Sequence, residues 1–258
     1  MSPVKQPWYL FSHGIADTQA QAHRYKQPGI VAEPLTTFDY PDATTRFWRL
    51  NFWYTNFGQE KDIEALKHTY GIQQEQMNLA HETNAPVVLF GLSRGASTIL
   101  NFIAQHNPSN IQAIVLESPY DHVNSIAKHL AYQLHLSSFP HASNLIHYLM
   151  SLLFFGYNRN GIQPIDSVPK IQNRNIHILI LCSKKDQWVP WKSSRNLFNA
   201  GHTQVHFIAL DHGKHAKILV GTDRDTYHSV VHAFYKKYGL SHHKDYAVCG
   251  EKILSKKS

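Results

Sequence analysis

Short apolar runs recur along the chain, and longer stretches of helix composition fill the gaps between them. Trp8–Ser12, Pro34–Tyr40, Val87–Phe90, Ile111–Leu116, Ile176–Leu181 and Val205–Leu210 each read as a strand bounded by turn formers. Residues 17–24, 59–70, 72–83, 97–105, 192–200 and 216–238 read as helices, with Asp17 placed to cap the first. Alternating strands and helices predict βαβ units. The expected fold class is α/β, a mostly parallel sheet of about six strands with helices on both faces.

Three stretches stand apart from that rhythm. Residues 121–175 carry no strand signal, yet Asn144–Phe155 is strongly apolar. That run reads equally as a helical cap over a site and as a helix buried against the sheet. The aromatic stretch Phe47–Tyr54 is expected in the core, with substrate contact as the lesser reading. From Ser241 onward the chain is polar and without a motif, and a frayed tail over 241–258 is expected.

Composition narrows the function classes. A chain of 258 residues, 43% hydrophobic and 17% charged, suits one large globular domain over 1–240. A net charge of +7 favours polyanions or an anionic membrane surface. The lysines, however, come in pairs (Lys184 with Lys185, Lys236 with Lys237, Lys256 with Lys257) and not in a block. The pattern predicts a dispersed, solvated positive surface, no nucleic-acid partner and at most weak membrane-surface contact. Cys182 and Cys249 suggest no disulfide framework, and the N-terminal residues contain no signal-peptide apolar core. A cytoplasmic protein is expected.

The chemistry concentrates where strands end. Val87–Phe90 runs into Gly91-Leu92-Ser93-Arg94-Gly95 and then directly into helix formers. A G-x-S-x-G between strand and helix lifts a serine clear of the sheet on a strained turn. A serine hydroxyl becomes a nucleophile only when a base takes its proton, and that base must be held by a carboxylate. Asp186 follows the fifth predicted strand, and His212 and His215 follow the last. His212 lies two residues past the strand and has little reach. His215 has a further turn through Gly213, so it is the expected base and His212 the alternative. Glu117 and Asp121 are reserve acids. An oxyanion needs two N–H donors: Arg94 supplies one, and Ile15, in the turn after His13-Gly14, can supply the other. No metal is expected, since His212 and His215 have no third ligand placed by spacing.

Together His13-Gly14, the pentapeptide 91–95, the run from Lys185 to Pro190 and Gly213-Lys214-His215 resemble the α/β-hydrolase superfamily of serine esterases, lipases and peptidases. The resemblance covers roughly residues 7–240. It implies Ser93 as nucleophile, Asp186 as orienting acid, His215 as base, and the N–H groups of Arg94 and Ile15 as the oxyanion hole. It further implies a cap insertion over about 122–175. The chain departs from larger members by starting directly at the His-Gly strand, without the strands that often precede it. The expected activity is cofactor-free cleavage of an ester or thioester, with an amide as an extension, in a small acyl substrate of apolar character. Two other readings stay open: a catalytically silent binding protein on this fold, and a lipid hydrolase associated with a membrane surface.

Overall fold

In the computed structural model, which describes residues 6–27, 29–108, 110–136, 138–171, 175–201 and 204–255, the six apolar runs become six parallel strands. These are β1 (Trp8–Ser12), β2 (Leu35–Thr37), β3 (Val87–Leu92), β4 (Ile111–Glu117), β5 (His177–Ser183) and β6 (Val205–Leu210). Their order in the sheet is β2-β1-β3-β4-β5-β6. Strands covered on both faces need continuous apolar sequence, and every residue of β1 and β3 is buried. The edge strand β2 is shorter than the predicted 34–40 and only half-buried.

The chain winds from β1 outward to β2, then returns past β1 to β3. That reversal creates a topological switch point between β1 and β3, where α/β sheets open a crevice at their carboxyl ends. Register aligns those ends into one rim: Ser12 pairs with Gly91, Leu92 with Glu117 and Ser183 with Leu210.

Helices cover both faces. On one, Ile63 and Leu66 of α1 (Glu60–Leu79), Ile99 and Phe102 of α2 (Arg94–His106) and Leu197 of α6 (Trp191–Ala200) pack on Leu89, Ile114 and Ile180. On the other, Tyr25 of the 3₁₀ helix Gln19–Tyr25, with Val230 and Phe234 of α7 (Arg224–Lys237), packs on Phe11, Phe90 and Val115. Between β4 and β5 lie α3 (Val123–Gln133), α4 (Ala142–Leu153) and the single turn α5 (Pro164–Ser167). A fully buried large apolar side chain contributes about 1.5–3 kcal/mol. α2 buries most of its length and anchors the sheet, whereas no residue of α4 is buried. α4 leans on α3, so the reading of 144–155 as a helix buried against the sheet does not hold.

Several local expectations are corrected. The predicted break between 70 and 72 is absent: α1 runs through Gly71, where an added Cβ would meet nothing within 4 Å. A solvent-facing glycine costs a helix about 1 kcal/mol without ending it. Asp17 caps no helix; it accepts the Thr18 N–H within a turn, and a short 3₁₀ helix starts at Gln19. The last predicted helix begins only at Arg224. The aromatic stretch is not core: Phe52 is buried, but Phe47, Trp48, Leu50 and Tyr54 are exposed.

The polar tail is corrected as well. Residues 244–254 form α8 (Lys244–Leu254), docked on α7 with Ala247 and Leu254 buried. A Cβ on Gly250 would lie 1.9 Å from the Ser229 carbonyl oxygen, so the two helices meet backbone to backbone. Such a contact needs small residues rather than an apolar stripe, and it leaves little hydrophobic signal. No helix among the described residues is long and apolar enough to cross a membrane. Gly250→Val should force α8 off α7. We expect a stability loss of roughly 1–3 kcal/mol by chemical denaturation, and new protease cleavage after residue 238. Unchanged stability and protection would show that this helix contact is not needed.

Candidate active site

Ser93 sits between β3 and α2 with φ 52° and ψ −112°, a conformation that costs about 1–3 kcal/mol unless its surroundings enforce it. They do. A Cβ on Gly91 would stand 2.6 Å from Ala96 Cα, and one on Gly95 would stand 2.1 Å from the Ser12 carbonyl oxygen. The Ser93 N–H donates to the Glu117 carbonyl at 2.7 Å, and its own carbonyl accepts from Ser97 N–H at 3.1 Å.

His215 reaches this serine from the far side of the sheet. Its Nε2 lies 2.9 Å from Ser93 Oγ and its Nδ1 lies 2.7 Å from Asp186 Oδ2. The other carboxylate oxygen, Oδ1, accepts the N–H groups of Trp188 at 2.8 Å and Val189 at 2.9 Å. Burial alone would raise the pKa of Asp186. The His215 hydrogen bond and charge and the two backbone donors outweigh burial and hold this carboxyl below its ordinary value. The loop carrying His215 is pinned by Ser183, whose Oγ lies 2.9 and 2.7 Å from the carbonyl oxygens of His212 and Gly213. Gly213 turns with φ +101°, open to glycine and strained for other residues.

The structure therefore brings Ser93, His215 and Asp186 together and leaves His212 out. The His212 N–H donates to Asp223 Oδ2 at 2.6 Å and its ring faces the same carboxylate. Neither reserve acid hydrogen-bonds to His215. Asp121 accepts from Ser193 Oγ and, at 2.7 Å, from Asn196 Nδ2. Glu117 accepts the hydroxyls of Tyr25 at 3.0 Å and Tyr227 at 2.8 Å.

On the other side of Ser93 runs the His13-Gly14 turn; a Cβ on Gly14 would lie 3.7 Å from Ser93 Cβ. His13 Nε2 accepts the Tyr40 N–H at 3.3 Å, so its Nδ1–H donates to the Gly14 carbonyl at 2.8 Å. Burial, aided by the Arg94 charge, lowers its pKa to about 4 and keeps the ring neutral. Gln21 Oε1 accepts the Gly14 N–H at 3.1 Å. These bonds fix the turn that presents Ile15. Arg94 opens α2, where first-turn N–H groups have no intrahelical partner.

Sequence reading missed the Arg94 side chain. Its guanidinium is buried and forks onto Asp62 at 2.7 and 2.5 Å and onto Asp42 at 2.7 and 2.5 Å, with the Tyr40 ring 4.1 Å away. It missed Ser183 and Asp223 for the same reason: their partners lie 29 and 11 residues away with no periodic spacing. Phe57, Tyr120, Val123, Tyr157 and Val189 form an apolar cluster, joined by Ile15 of the turn after His13-Gly14 and by Phe154. Among the described residues, no group of three or more His, Cys, Asp or Glu side chains is placed to hold a metal ion.

The strand order, the switch point between β1 and β3 and the serine on a strand-to-helix turn define an α/β-hydrolase fold, and comparison with solved structures agrees. A Pyrococcus furiosus esterase, Pf2001, superposes with a TM-score of 0.65 at 15% identity, over 91% of this chain and 83% of that one. A Pyrococcus horikoshii acylaminoacyl peptidase gives 0.60 at 11% identity, over 90% of this chain and 37% of that one. Est1E from Butyrivibrio proteoclasticus, solved with ferulic acid bound, gives 0.55 at 14% identity, over 92% and 91%. No family model matches the chain. In sequence, 180 residues are 24% identical to "Uncharacterized protein YfhR" of Escherichia coli O157:H7, covering 68% of this chain. The match spans little more than half of that relative, 56% of its length.

Glu117, directly beneath the serine turn, yields a pH prediction. Burial, opposed by the two tyrosine hydrogen bonds, lifts its pKa from 4.5 to about 7. Below pH 4.5 it is protonated whether folded or unfolded. As pH rises through that value the unfolded chain releases the proton and the native chain keeps it, so stability falls until about pH 7 and then levels. The full effect is on the order of 3 kcal/mol. Relative to the parent, Glu117→Gln should gain stability between pH 5 and pH 8, read from denaturant midpoints. A parallel pH dependence in both proteins would contradict the assignment.

Proposed function

We propose that this chain is a serine hydrolase that cleaves an ester or thioester through an acyl-enzyme intermediate. The observation that carries the reading is the hydrogen-bonded series Ser93–His215–Asp186 on a strained strand-to-helix turn. His215 Nε2 takes the Ser93 proton as Oγ bonds to the substrate carbonyl carbon. The N–H groups of Arg94 and Ile15 receive the developing oxyanion. His215, its charge balanced by Asp186, then passes the proton to the leaving group as the carbon–oxygen or carbon–sulfur bond breaks. Water repeats the sequence and frees the acid. The fold shared with esterases and an acylaminoacyl peptidase supports this class, and amide cleavage is the natural extension.

We further read α3 and α4 as a cap that favours apolar acyl groups, since Phe154 projects into the aromatic contacts of Phe52, Trp53 and Phe57 beside the site.

A fluorophosphonate probe should label the chain, and Ser93→Ala should abolish both labelling and turnover while folding is retained. Labelling that survives in the variant would remove Ser93 from the chemistry. An unlabelled, inactive but folded parent would favour a silent binding protein. His215→Ala should lower turnover of an activated ester by several orders of magnitude at pH 7, whereas His212→Ala should cost little. The opposite pattern would move the base. Phe154→Ser should cut the preference for medium over short acyl chains by about tenfold in kcat/KM; an unchanged ratio would end the apolar-cap reading.

A further inference from the structure

α4 and the aromatic segment 47–54 carry a face that the proposed chemistry does not account for. α4 turns Leu145, Leu149 and Leu152 outward at helical spacing, and Tyr148 and Leu153 beside them are also exposed. The face continues beyond the helix. Phe155 N–H donates to the Trp53 carbonyl at 2.7 Å, Asn56 Nδ2 donates to the Gly156 carbonyl, and the rings of Tyr54 and Phe155 lie 5.7 Å apart. Across that seam Trp48 is 76% exposed and Leu50 80%. Trp188, two residues past Asp186, and Tyr132, on α3, expose their rings as well. An apolar area this continuous is unusual on a freely soluble surface and marks an interaction site.

Charge says what covers it. Residues 43–59 and 122–165, which build the face, contain no Asp or Glu, although the chain has 18. They do contain Arg46, Arg49, Lys128 and Arg159, all exposed. The loops holding Asp186 and His215 add exposed Lys185 and Lys214. A second copy docked about a two-fold axis would set these cations against their own kind, and the exposed acid in the same loops, Asp211, is already paired with Lys184 at 2.6 Å. A sheet of anionic headgroups answers them, and the leucines enter the acyl boundary while the indole and phenol rings of Trp48, Tyr54, Tyr132 and Trp188 suit the headgroup layer. We propose that this face docks on a negatively charged lipid surface, from which an acyl ester is drawn to Ser93. The second half of the proposal rests on the hydrolase reading; the docking does not.

The test uses the Ser93→Ala protein, so that vesicles are not consumed. It should sediment with phosphatidylcholine vesicles containing phosphatidylglycerol and only weakly with phosphatidylcholine alone. Leu149→Ser combined with Leu152→Ser should weaken binding about tenfold, and Arg46→Gln combined with Arg159→Gln should do the same by removing two headgroup contacts. Both pairs are exposed, and circular dichroism checks their folding. No binding to anionic vesicles would overturn the proposal, as would equal binding by parent and both variants. A dimer seen by light scattering that the leucine variant dissolves would assign the face to a second copy instead. Hydrolysis of a water-soluble acetate ester by the unaltered chain reports separately: its failure would sink the hydrolase reading and leave the docking standing.

Discussion

The arrangement hangs on one buried cation. Arg94 cannot be left alone in the interior, since an unpaired buried charge costs several kcal/mol, and neither can Asp42 or Asp62. The three must meet, which brings the serine turn, the segment after β2 and the start of α1 to one point. Each acid then holds a further group: Asp42 accepts the Thr55 hydroxyl at 2.6 Å and Asp62 accepts the Gly58 N–H at 2.6 Å. Those two residues follow directly on the aromatic segment, and Asn56 between them reaches Gly156 beyond α4. A polar chain thus runs from the base of the serine turn to the outermost apolar surface. The geometry at Ser93 and the placement of the exposed aromatics are consequences of the same charge pairing.

Ser93 and its two partners come from two halves of the sheet: the His13-Gly14 turn and Ser93 follow β1 and β3, and Asp186 and His215 follow β5 and β6. The segment from α3 to the end of α4 touches both halves. His129 of α3 lies 3.3 Å from the Asp186 carbonyl oxygen, and Phe154 packs with Phe57 on the opposite side. Movement of α3 and α4 would therefore be felt at the Asp186 loop and at Phe57 together.

What the sequence made legible follows from burial. Strands of a parallel sheet are apolar on both faces, so β3 to β6 announced themselves without periodicity. Ser93, Asp186 and His215 were readable because each sits a few residues past such a run, and the sheet brings strand ends to one rim. Contacts among polar residues distant in sequence were not readable. Nothing about Asp42 or Asp62 marks it as a partner of Arg94, 52 and 32 residues on. Nor does composition distinguish an aromatic run that fills a core from one that faces outward, because both use Phe, Trp and Tyr; Phe52 and Trp48 differ only in what folds over them. α8 was missed because its contact with α7 depends on the smallness of Gly250, not on hydrophobicity.

The span between Ser93 and His215, 122 residues, also orders events during synthesis. β1, β2, β3 and α2 are complete by His106, more than 100 residues before the imidazole of His215, and the Arg94 pairing can close among them. The imidazole emerges only after β6. A nascent chain therefore carries Ser93 already seated and without His215 through the whole interval in which α3 and α4 are formed. Any chemistry at Ser93 that depends on His215 begins only when β6 has joined the sheet, so its onset marks the completion of the sheet.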